Sequence, residues 1–500
     1  MAPHQASYWV ESTPDKVFGP LTSDLTVDCA VLGAGITGLT SALLLQRAGL
    51  KVAVVEMDGI ARGVSGYTTA KVTSLQGQIY SRLESKHGRE AAALYAASNQ
   101  AALGFVAELV RGDGIDCDFE AKAGYTYCED PSDLPRIEGE AEAASRAGLP
   151  VELVHETTLP YPVAGAVRLD DQAQFHPRKY LLHIVDELER GGCLFFDETR
   201  ATGVEEGSTC EVTTSGGIVR AAHVVVATHY TFLDRSMMFP RVHPKRSYAM
   251  VGPVPEDNVP DGMFLSTDPT WSVRTVPSGD ETLVLTGGSG HNVGQHYDTE
   301  ERYETLEAWS REKLGMTEVR ARWSTQDGSS VDAIPYIGRL TPGSKNVYTA
   351  TAFGKWGMTN GTLAGMIITD LVLGRENPWA DLFDPHRATV KASASKLAKE
   401  NVKVAGHFFG DRVRHPQAGV PGDLAPGEAA VSGTGVGQVA VYRDDAGELH
   451  KVSAVCTHLG CIVTWNNAET TWDCPCHGSR FDVDGKVIQG PAVKDLEAKE

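Results

Sequence analysis

Cysteine and histidine residues near the C-terminal end of the chain are grouped in two short blocks. The first block, from Cys456 to Cys461, reads Cys-Thr-His-Leu-Gly-Cys, and the second, from Cys474 to Ser479, reads Cys-Pro-Cys-His-Gly-Ser. Two thiolates and two imidazoles at these spacings can hold the two irons of a [2Fe–2S] centre asymmetrically, with sulfur on one iron and nitrogen on the other. The candidate iron ligands are Cys456, His458, Cys474 and His477.

A structural zinc site is the alternative interpretation of these blocks. Zinc fingers favour C-x2-C and H-x3–5-H spacings, which differ from the C-x-H and C-x-x-H spacings found here. A zinc site also has no use for a further cysteine in each block, so the iron–sulfur interpretation is favoured. The remaining cysteines are scattered as in an ordinary core and are given no role: Cys29, Cys117, Cys128, Cys193 and Cys210.

The two blocks resemble those of the Rieske family, in its disulfide-containing subclass. The resemblance implies that a disulfide between Cys461 and Cys476 ties the two ligand loops together. The respiratory members of that subclass carry a serine and a tyrosine hydroxyl shortly after the second ligand histidine. Here Ser479 is retained but Phe481 stands at the tyrosine position. Because one hydrogen bond to the cluster environment is lost, we expect a lower reduction potential than in those respiratory proteins.

A second motif lies near the other end of the chain. The apolar segment Val27–Leu32 predicts a buried strand, which is followed at once by Gly33-Ala-Gly-Ile-Thr-Gly38 and by a helix over Leu39–Ala48. A second strand over Lys51–Val55 ends in Glu56. This order is the βαβ fingerprint of dinucleotide-binding proteins, in which the glycines allow the tight turn and the close approach of a pyrophosphate. The helix N-terminus would face the phosphates and Glu56 a ribose.

Three further segments resemble the D-amino-acid oxidase superfamily of FAD-dependent oxidoreductases. They are the small-residue loop 63–71, the strand His223–Thr228, and the loop Ala352–Gly361 that leads into an apolar helix over Thr362–Leu373. The resemblance implies an α/β FAD-binding Rossmann-type domain with an α+β substrate-binding sheet, followed by a small all-β Rieske domain. The residues expected at FAD are Gly33, Gly35, Gly38, Glu56, Ser65, Thr68, Thr69, Ala227, Gly357 and Thr359.

Covalent attachment of the flavin is not expected. Relatives that attach it use a cysteine in the last loop or a histidine after the second strand, and this chain carries neither. No second strand–GxGxxG–helix unit is found, so a separate nicotinamide-binding domain is not expected either.

A chain of 500 residues is expected to form several domains. We predict an FAD-dependent oxidoreductase over 1–385, whose substrate sheet lies at about 246–325, a helical and Pro/Gly-rich linker over 386–418, and a Rieske domain over 419–500. Within the first part, periodicity predicts one long helix over Ser81–Glu108 and another over Lys179–Glu189.

The candidate catalytic residues are less strongly indicated than the cofactor-binding ones. Lys355 lies in the predicted flavin loop, where its alternative is a solvated lysine. Arg274 lies on a predicted strand of the substrate sheet, where an arginine can clamp a carboxylate but is more often a surface or ion-pair residue. His291 lies in the same region, in Gly-Ser-Gly-His-Asn.

Charge and hydropathy exclude several classes of partner. A formal net charge of −20 argues against a surface that binds nucleic acid or an anionic membrane. No apolar run is long enough to span a bilayer, and the first residues carry no secretory signal pattern. We therefore expect a cytoplasmic protein, although disulfides are rare in that compartment.

Together these features predict a dehydrogenase that oxidises a small substrate, with an amine or amino acid as the class suggested by the resemblance. Flavin removes two electrons at once and a Rieske cluster accepts one at a time, so the cluster would relay electrons singly to an unknown acceptor. An electron-transfer module without a small substrate is the main alternative. A Rieske oxygenase, which needs a large iron domain after the cluster, and a degenerate binding protein are disfavoured.

Overall fold

The computed structural model describes residues 6–236, 238–294, 298–387, 424–433 and 437–499. The α-helices of these residues, numbered α1 to α9 in chain order, are Tyr8–Glu11, Ile36–Arg47, Ile79–His87, Arg89–Asp113, Leu134–Arg146, Pro177–Arg190, Glu300–Leu314, Gly357–Val372 and Ala380–Phe383. The strands, β1 to β24, are Leu25–Leu32, Val52–Val55, Lys71–Val72, Glu120–Cys128, Glu152–Val154, Gly165–Gln174, Leu194–Phe196, Ala201–Glu205, Cys210–Thr214, Ile218–Val226, Val242–Gly252, Met263–Ser266, Ser272–Ser278, Glu281–Asn292, Ala321–Ser330, Tyr336–Arg339, Val347–Thr351, Ala429–Ser432, Val439–Arg443, Leu449–Ser453, Thr464–Asn466, Thr471–Asp473, Arg480–Phe481 and Val487–Gln489.

The first sheet is a parallel, doubly covered sheet of the dinucleotide-binding type. Its parallel strands follow the order β17-β10-β1-β2-β7, with β16 antiparallel at one edge and the β8–β9 hairpin joined to β10. In the register, Leu32 of β1 lies opposite Val55 of β2 and Val226 of β10. Because these parallel strands end together, the loops that follow them meet at one edge, where open α/β sheets bind their ligands.

The second sheet has the order β15-β11-β14-β13-β12-β4-β6-β3, with β5 added on β6. The sequence predicts this sheet at about 246–325, and strands β11 to β15 occupy that region. The predicted extent is too small, because four strands between Lys71 and Gln174 join the same sheet. They are linked to the predicted strands by the pairing of β4 with β12, in which Gly124 lies opposite Met263, so short-range patterns could not reveal the link.

The helix predicted over Ser81–Glu108 is two helices, α3 and α4. The break falls at Gly88, whose φ of 86° leaves the helical region. Glycine adopts this conformation at little steric cost. The helix can therefore end at Gly88 even though the apolar periodicity of the sequence continues through it. The second predicted helix agrees with α6, which begins at Pro177 with His176 as its N-cap.

The C-terminal part is all β, as predicted. Strands β18 to β20 form one antiparallel sheet and β21 to β24 form another. The predicted helical and Pro/Gly-rich linker falls almost entirely in 388–423, outside the described residues. We refer below to residues 6–387 as the large domain and to residues 424–499 as the small domain.

The two domains pack against each other. Ala468 of the small domain lies in a core cluster with Tyr248 and Trp309 of the large domain, and Met57 of the large domain packs against the core of the small one. Among the helices that the structure describes, no segment combines the length and the apolar character needed to cross a bilayer.

Candidate redox sites

The glycine-rich loop after β1 leaves no room for a side chain at its three glycine positions. Gly33 has a φ of 107°, and a Cβ there would lie 2.5 Å from the Ala227 carbonyl oxygen. A Cβ at Gly38 would lie 1.9 Å from the Gly33 oxygen, and one at Gly35 would lie 2.9 Å from Ser65 Oγ. These contacts bring four of the residues predicted at FAD together around the start of α2, together with Ser65, whose hydroxyl accepts the Ile36 N–H at 2.9 Å.

Glu56 lies at the end of β2, beside the same loop. Its carboxylate accepts the backbone N–H of Ala34 at 2.7 Å and that of Asp58 at 3.1 Å. Burial raises the pKa of the carboxyl group, and the hydrogen bonds from the backbone oppose that rise. The structure therefore places Glu56 where the fingerprint puts a ribose-binding carboxylate.

The loop between β17 and α8 has an unusual backbone. Ala352, Gly354 and Lys355 all have φ in the left-handed region, at 64°, 61° and 76°. Left-handed conformations of non-glycine residues cost free energy and persist where surrounding contacts fix them. Here the buried Asp327 carboxylate accepts the Lys355 backbone N–H and the Gly328 N–H. The strained loop is thus held from β15 and leads directly into α8 at Gly357.

The N-terminal ends of α2 and α8 lie side by side. A Cβ at Gly361 would lie 2.6 Å from Ile36 Cγ2, and one at Gly365 would lie 2.6 Å from Thr40 Cγ2. Neither helix has a side-chain N-cap. Apart from the Ile36 N–H, which the Ser65 hydroxyl accepts, these two adjacent helix N-termini favour an extended anionic ligand, and this cradle fits the pyrophosphate and ring of a dinucleotide.

The three threonines predicted at FAD have different neighbours in the structure. Thr68 Oγ1 accepts the Ala70 N–H at 3.0 Å, and Thr69 lies near Gly287 of the second sheet. The Thr359 hydroxyl is buried and bonds the backbone of Thr73 in both directions, at 3.0 and 3.1 Å. It ties α8 to the segment after loop 63–71, which leaves the Thr359 backbone for the predicted cofactor contact.

Lys355 contacts the strand that carries His291, whereas Arg274 bonds the backbone of Ala70 and Phe175. A Cβ at Gly290, next to His291, would lie 3.2 Å from Lys355 Nζ, so the lysine reaches β14. The His291 ring stacks on Tyr248 of β11, with the ring centroids 5.7 Å apart. Desolvation, together with the charge of Lys245, lowers the pKa of Lys355 to about 8.

The guanidinium of Arg274 is buried and donates hydrogen bonds to backbone carbonyl oxygens. It donates to the carbonyl oxygens of Ala70 and Phe175, at 2.7 and 3.3 Å, and lies 5.1 Å from the ring centroid of Trp9. Desolvation lowers its pKa to about 9. These contacts support the backbone at Ala70, within loop 63–71, and at Phe175. The guanidinium is therefore already bound to carbonyl oxygens where the sequence predicts a carboxylate clamp.

The two cysteine–histidine blocks form adjacent loops in the small domain. Cys461 and Cys476 are bonded as a disulfide, as the resemblance implied, and their sulfur atoms lie within 4.8 Å of Cys474 Sγ. The Cys456 and Cys474 thiols contact each other, and a hydrogen bond from Cys474 lowers the pKa of Cys456. Ser479 also hydrogen-bonds Cys456. Two free thiols therefore face each other beside the disulfide.

The histidines complete the ligand set. The His458 and His477 rings are perpendicular, with centroids 5.1 Å apart. Both Nδ1 atoms are buried, and within the described part of the chain neither has a hydrogen-bond partner. Buried polar nitrogens without partners are costly unless they bind a metal. Two thiols and two orphaned imidazole nitrogens fit the asymmetric [2Fe–2S] centre.

Comparison with known proteins identifies both parts of the chain. The family model described as FAD dependent oxidoreductase matches residues 28–371. The chain belongs to this family. A model of the Rieske [2Fe-2S] domain matches residues 417–499. FAD and a [2Fe–2S] cluster are therefore the cofactors of this FAD-dependent oxidoreductase, which confirms the fold class and cofactors expected from the sequence.

Similar proteins repeat one or both parts. YhfW of Bacillus subtilis (strain 168), described as a Rieske 2Fe-2S iron-sulfur protein, is 34% identical over 98% of this chain and 97% of its own length. Gamma-glutamylputrescine oxidoreductase of Escherichia coli (strain K12) is 23% identical over 75% of this chain and 90% of its own. The structure of glycine oxidase from Geobacillus kaustophilus superimposes with a TM-score of 0.61 at 18% identity. The superposition covers 73% of this chain and 99% of the glycine oxidase chain.

The ligand histidines of this oxidoreductase face its own large domain. His458 Nε2 lies 2.8 Å from Asp234 Oδ1, and the His477 ring packs edge-on against Phe239, with centroids 5.4 Å apart. The side chain of Gln326 donates to the carbonyl oxygen of Gly478, the residue after His477, at 2.7 Å. A Cβ at Gly478 would lie 2.4 Å from that side chain. The cluster end of the small domain is thus seated against β15 and the loop before β11.

A buried ion network closes the same interface. Arg246 of β11 is 1% exposed and bonds Glu469 and Asp473 of the small domain, each at 2.7 Å. Arg480 bonds the same two carboxylates from within the small domain. Burial opposes ionisation of both carboxyl groups, but the two arginines outweigh it, so the pKa values of Glu469 and Asp473 are lowered. Buried charges are tolerated when each is paired in this way.

Sequence reasoning missed the residues that join the domains. Asp234, Arg246, Gln326 and Glu469 belong to no motif, and nothing in their local sequence distinguishes them from ordinary polar residues. Only the buried Arg246, on a strand predicted from its apolar neighbours, offers a weak signal. A charge within an apolar strand requires a partner, but the sequence does not say which.

Proposed function

We propose that the chain is an FAD-dependent dehydrogenase that oxidises an amine or amino acid and passes the electrons, one at a time, through the Rieske cluster to a separate acceptor. The observation that carries this proposal is the seating of both ligand histidines against the large domain. When bound, the flavin takes two electrons from a C–N bond and the cluster takes them singly. A cluster held within the same chain as the flavin supports this relay over direct reaction with oxygen.

Two neighbouring residues of β15 link the flavin loop to the cluster loop. Asp327 accepts the Lys355 backbone N–H, and Gln326 donates to the Gly478 carbonyl oxygen. The His229 ring also bonds the Gln326 carbonyl oxygen, at 2.9 Å. Two hydrogen bonds, the side chains of Asp327 and Gln326 and one peptide unit therefore join the Lys355 backbone to the backbone beside a predicted iron ligand. This short connection supports electron transfer inside one chain.

The proposed substrate class is supported by the names of two similar proteins and by the positive charge of Lys355. Gamma-glutamylputrescine oxidoreductase and glycine oxidase are named for an amine-bearing substrate and an amino acid. Lys355 Nζ lies beside Gly290 of β14, and Lys245 is close enough to affect the pKa of Lys355. A lysine whose pKa is about 8 is mainly protonated at neutral pH, so it can hold a carboxylate in place.

Anaerobic mixing of the purified holoprotein with a panel of amines, amino acids and hydroxy acids tests the proposal. We expect one compound to bleach the flavin absorbance and the EPR signal of the reduced cluster to grow afterwards. Flavin reduction that never reaches the cluster would contradict the relay. If no compound reduces the flavin although dithionite reduces both centres, the electron-transfer module becomes the better interpretation.

A further inference from the structure

The Rieske ligand His458 has two ring nitrogens in different surroundings. Its Nδ1 atom is buried and has no hydrogen-bond partner among the described residues, which fits ligation of iron. Its Nε2 atom lies 2.8 Å from Asp234 Oδ1. An imidazole that binds metal through Nδ1 carries its proton on Nε2, so Nε2 donates this hydrogen bond and the carboxylate accepts it.

The carboxylate comes from the other domain. Asp234 begins the short 3-10 helix Asp234–Ser236 of the large domain, which lies 224 positions from His458 along the chain. We propose that Asp234 is a positioning residue for the Rieske cluster. It orients the His458 imidazole, increases its electron donation to iron, and so lowers the reduction potential of the cluster only while the domains are docked.

The local structure holds both partners in place. Leu233 and Ser236, which flank the carboxylate, are buried, and Arg235 donates to the Val204 carbonyl oxygen at 2.9 Å. On the other side, the Thr457 hydroxyl bonds the Lys494 carbonyl oxygen, which fixes the loop that carries His458. The His458 side chain is 5% exposed and that of Asp234 is 55% exposed, so the donor is buried while the carboxylate is open to water on its other side. A hydrogen bond between an anchored carboxylate and a buried donor is stronger than one on an open surface.

The direction of the effect follows from charge. A carboxylate that accepts the Nε2 proton makes the imidazole a stronger donor and places negative charge near the iron. Both changes stabilise the oxidised cluster relative to the reduced one. Removal of this carboxylate therefore makes reduction easier. Docking of the domains would in this way bias electrons to move onward from the cluster to the acceptor.

Two other contacts provide matched controls. His450 and Asp484 form a second histidine–aspartate pair in the small domain, with Nδ1 2.7 Å from the carboxylate, but His450 is not an iron ligand. Arg200 and Asp495 form an ion pair across the domain interface at 3.2 Å, and neither side chain takes part in the His458–Asp234 contact. Asp484→Asn removes one negative charge from the small domain, and Arg200→Gln weakens the interface without changing the ligand contact.

The experiment is a dithionite redox titration of the holoprotein, followed by EPR of the reduced cluster, for wild type, Asp234→Asn, Asp234→Ala and the two controls. We expect the Asp234 variants to raise the potential, with the ratio of reduced to oxidised cluster at the wild-type midpoint increased about tenfold. The controls should keep the wild-type midpoint. Pulsed EPR should show changed histidine nitrogen couplings in both Asp234 variants and in neither control.

Several results would overturn the proposal. They are an unchanged or lowered potential in Asp234→Asn, or an equal rise in Asp234→Asn and in either control. Asp234→Asn preserves size, and Asp234 is 55% exposed, so the variant should fold, which visible circular dichroism of the oxidised cluster will check. No substrate is used, so the result is independent of the dehydrogenase activity proposed above.

Discussion

The dinucleotide cradle and the domain interface are built in opposite ways. The cradle depends on residues that have no side chain: Gly33, Gly38 and Gly361 allow backbone atoms and helices to approach closely. The interface depends on long charged side chains: Arg246 reaches two carboxylates across the boundary, and Arg480 bonds the same two carboxylates from within the small domain. Close backbone approach requires glycine at fixed spacings, which gives a short sequence motif. The partner of a long side chain can lie at any distance along the chain, so no motif records it. The following predictions test this difference.

Gly38→Ala should have the largest effect. Its Cβ would meet the Gly33 carbonyl oxygen at 1.9 Å, and a backbone atom cannot move aside. We expect loss of FAD from the purified protein and destabilisation by more than about 3 kcal/mol. Gly104→Ala in α4, where a Cβ would meet no atom within 4 Å, is the control and should retain FAD. Retention of full FAD content by Gly38→Ala would show that the cradle is more adaptable than its geometry indicates.

Arg246→Met should have the next largest effect. It leaves the buried Glu469 and Asp473 with Arg480 as their remaining arginine partner, and breaking a buried ion pair costs about 3–5 kcal/mol. Urea unfolding followed by the visible circular dichroism of the cluster measures the loss. The exposed Arg320, which also bonds two glutamates, is the control: Arg320→Gln should cost less than about 1 kcal/mol. Equal costs for the two variants would mean that the interface network contributes no more than a surface pair.

Lys355→Met should affect catalysis more than stability. If Lys355 holds a carboxylate, its loss should raise KM about 10- to 100-fold for an amino acid and leave KM for a simple amine nearly unchanged. Since the pKa is about 8, the wild-type KM for the amino acid should also rise above pH 8, where the lysine loses its charge. A pH profile of KM for both substrate classes measures this, and a rise shared by the amine would argue against the role.

Phe481→Tyr should have the smallest effect. Phe481 is fully buried in the core of the small domain, and the added hydroxyl is expected to supply the hydrogen bond that respiratory relatives have. The reduction potential should rise modestly, without any change in FAD content or domain docking. Ser479→Ala removes an existing hydrogen bond to Cys456 and should lower the potential. A fall in the Phe481→Tyr potential would refute the explanation based on the missing hydroxyl.

The two cofactors could be predicted from short-range sequence patterns, which also predict the residues that bind them. Cys456, His458, Cys474 and His477 lie in two compact blocks, and Gly33 to Glu56 lie in one βαβ unit, so their chemistry is visible at short range. The sequence also determined the disulfide between Cys461 and Cys476 through the resemblance to the Rieske family. Local steric and coordination requirements restrict which residues can stand at such positions, and that restriction is what a single sequence reveals.

Only the tertiary structure decided how the two sites are joined. The strands between Lys71 and Gln174 enter the second sheet by long-range pairing, and Gly88 divides a helix whose apolar period continues. Asp234 meets His458 across 224 positions, and Arg246 meets Glu469 across 223. Such contacts depend on the relative placement of whole domains. A surface aspartate or a strand arginine has no local property that identifies its partner, so the contacts that join the two domains appear only in the folded chain.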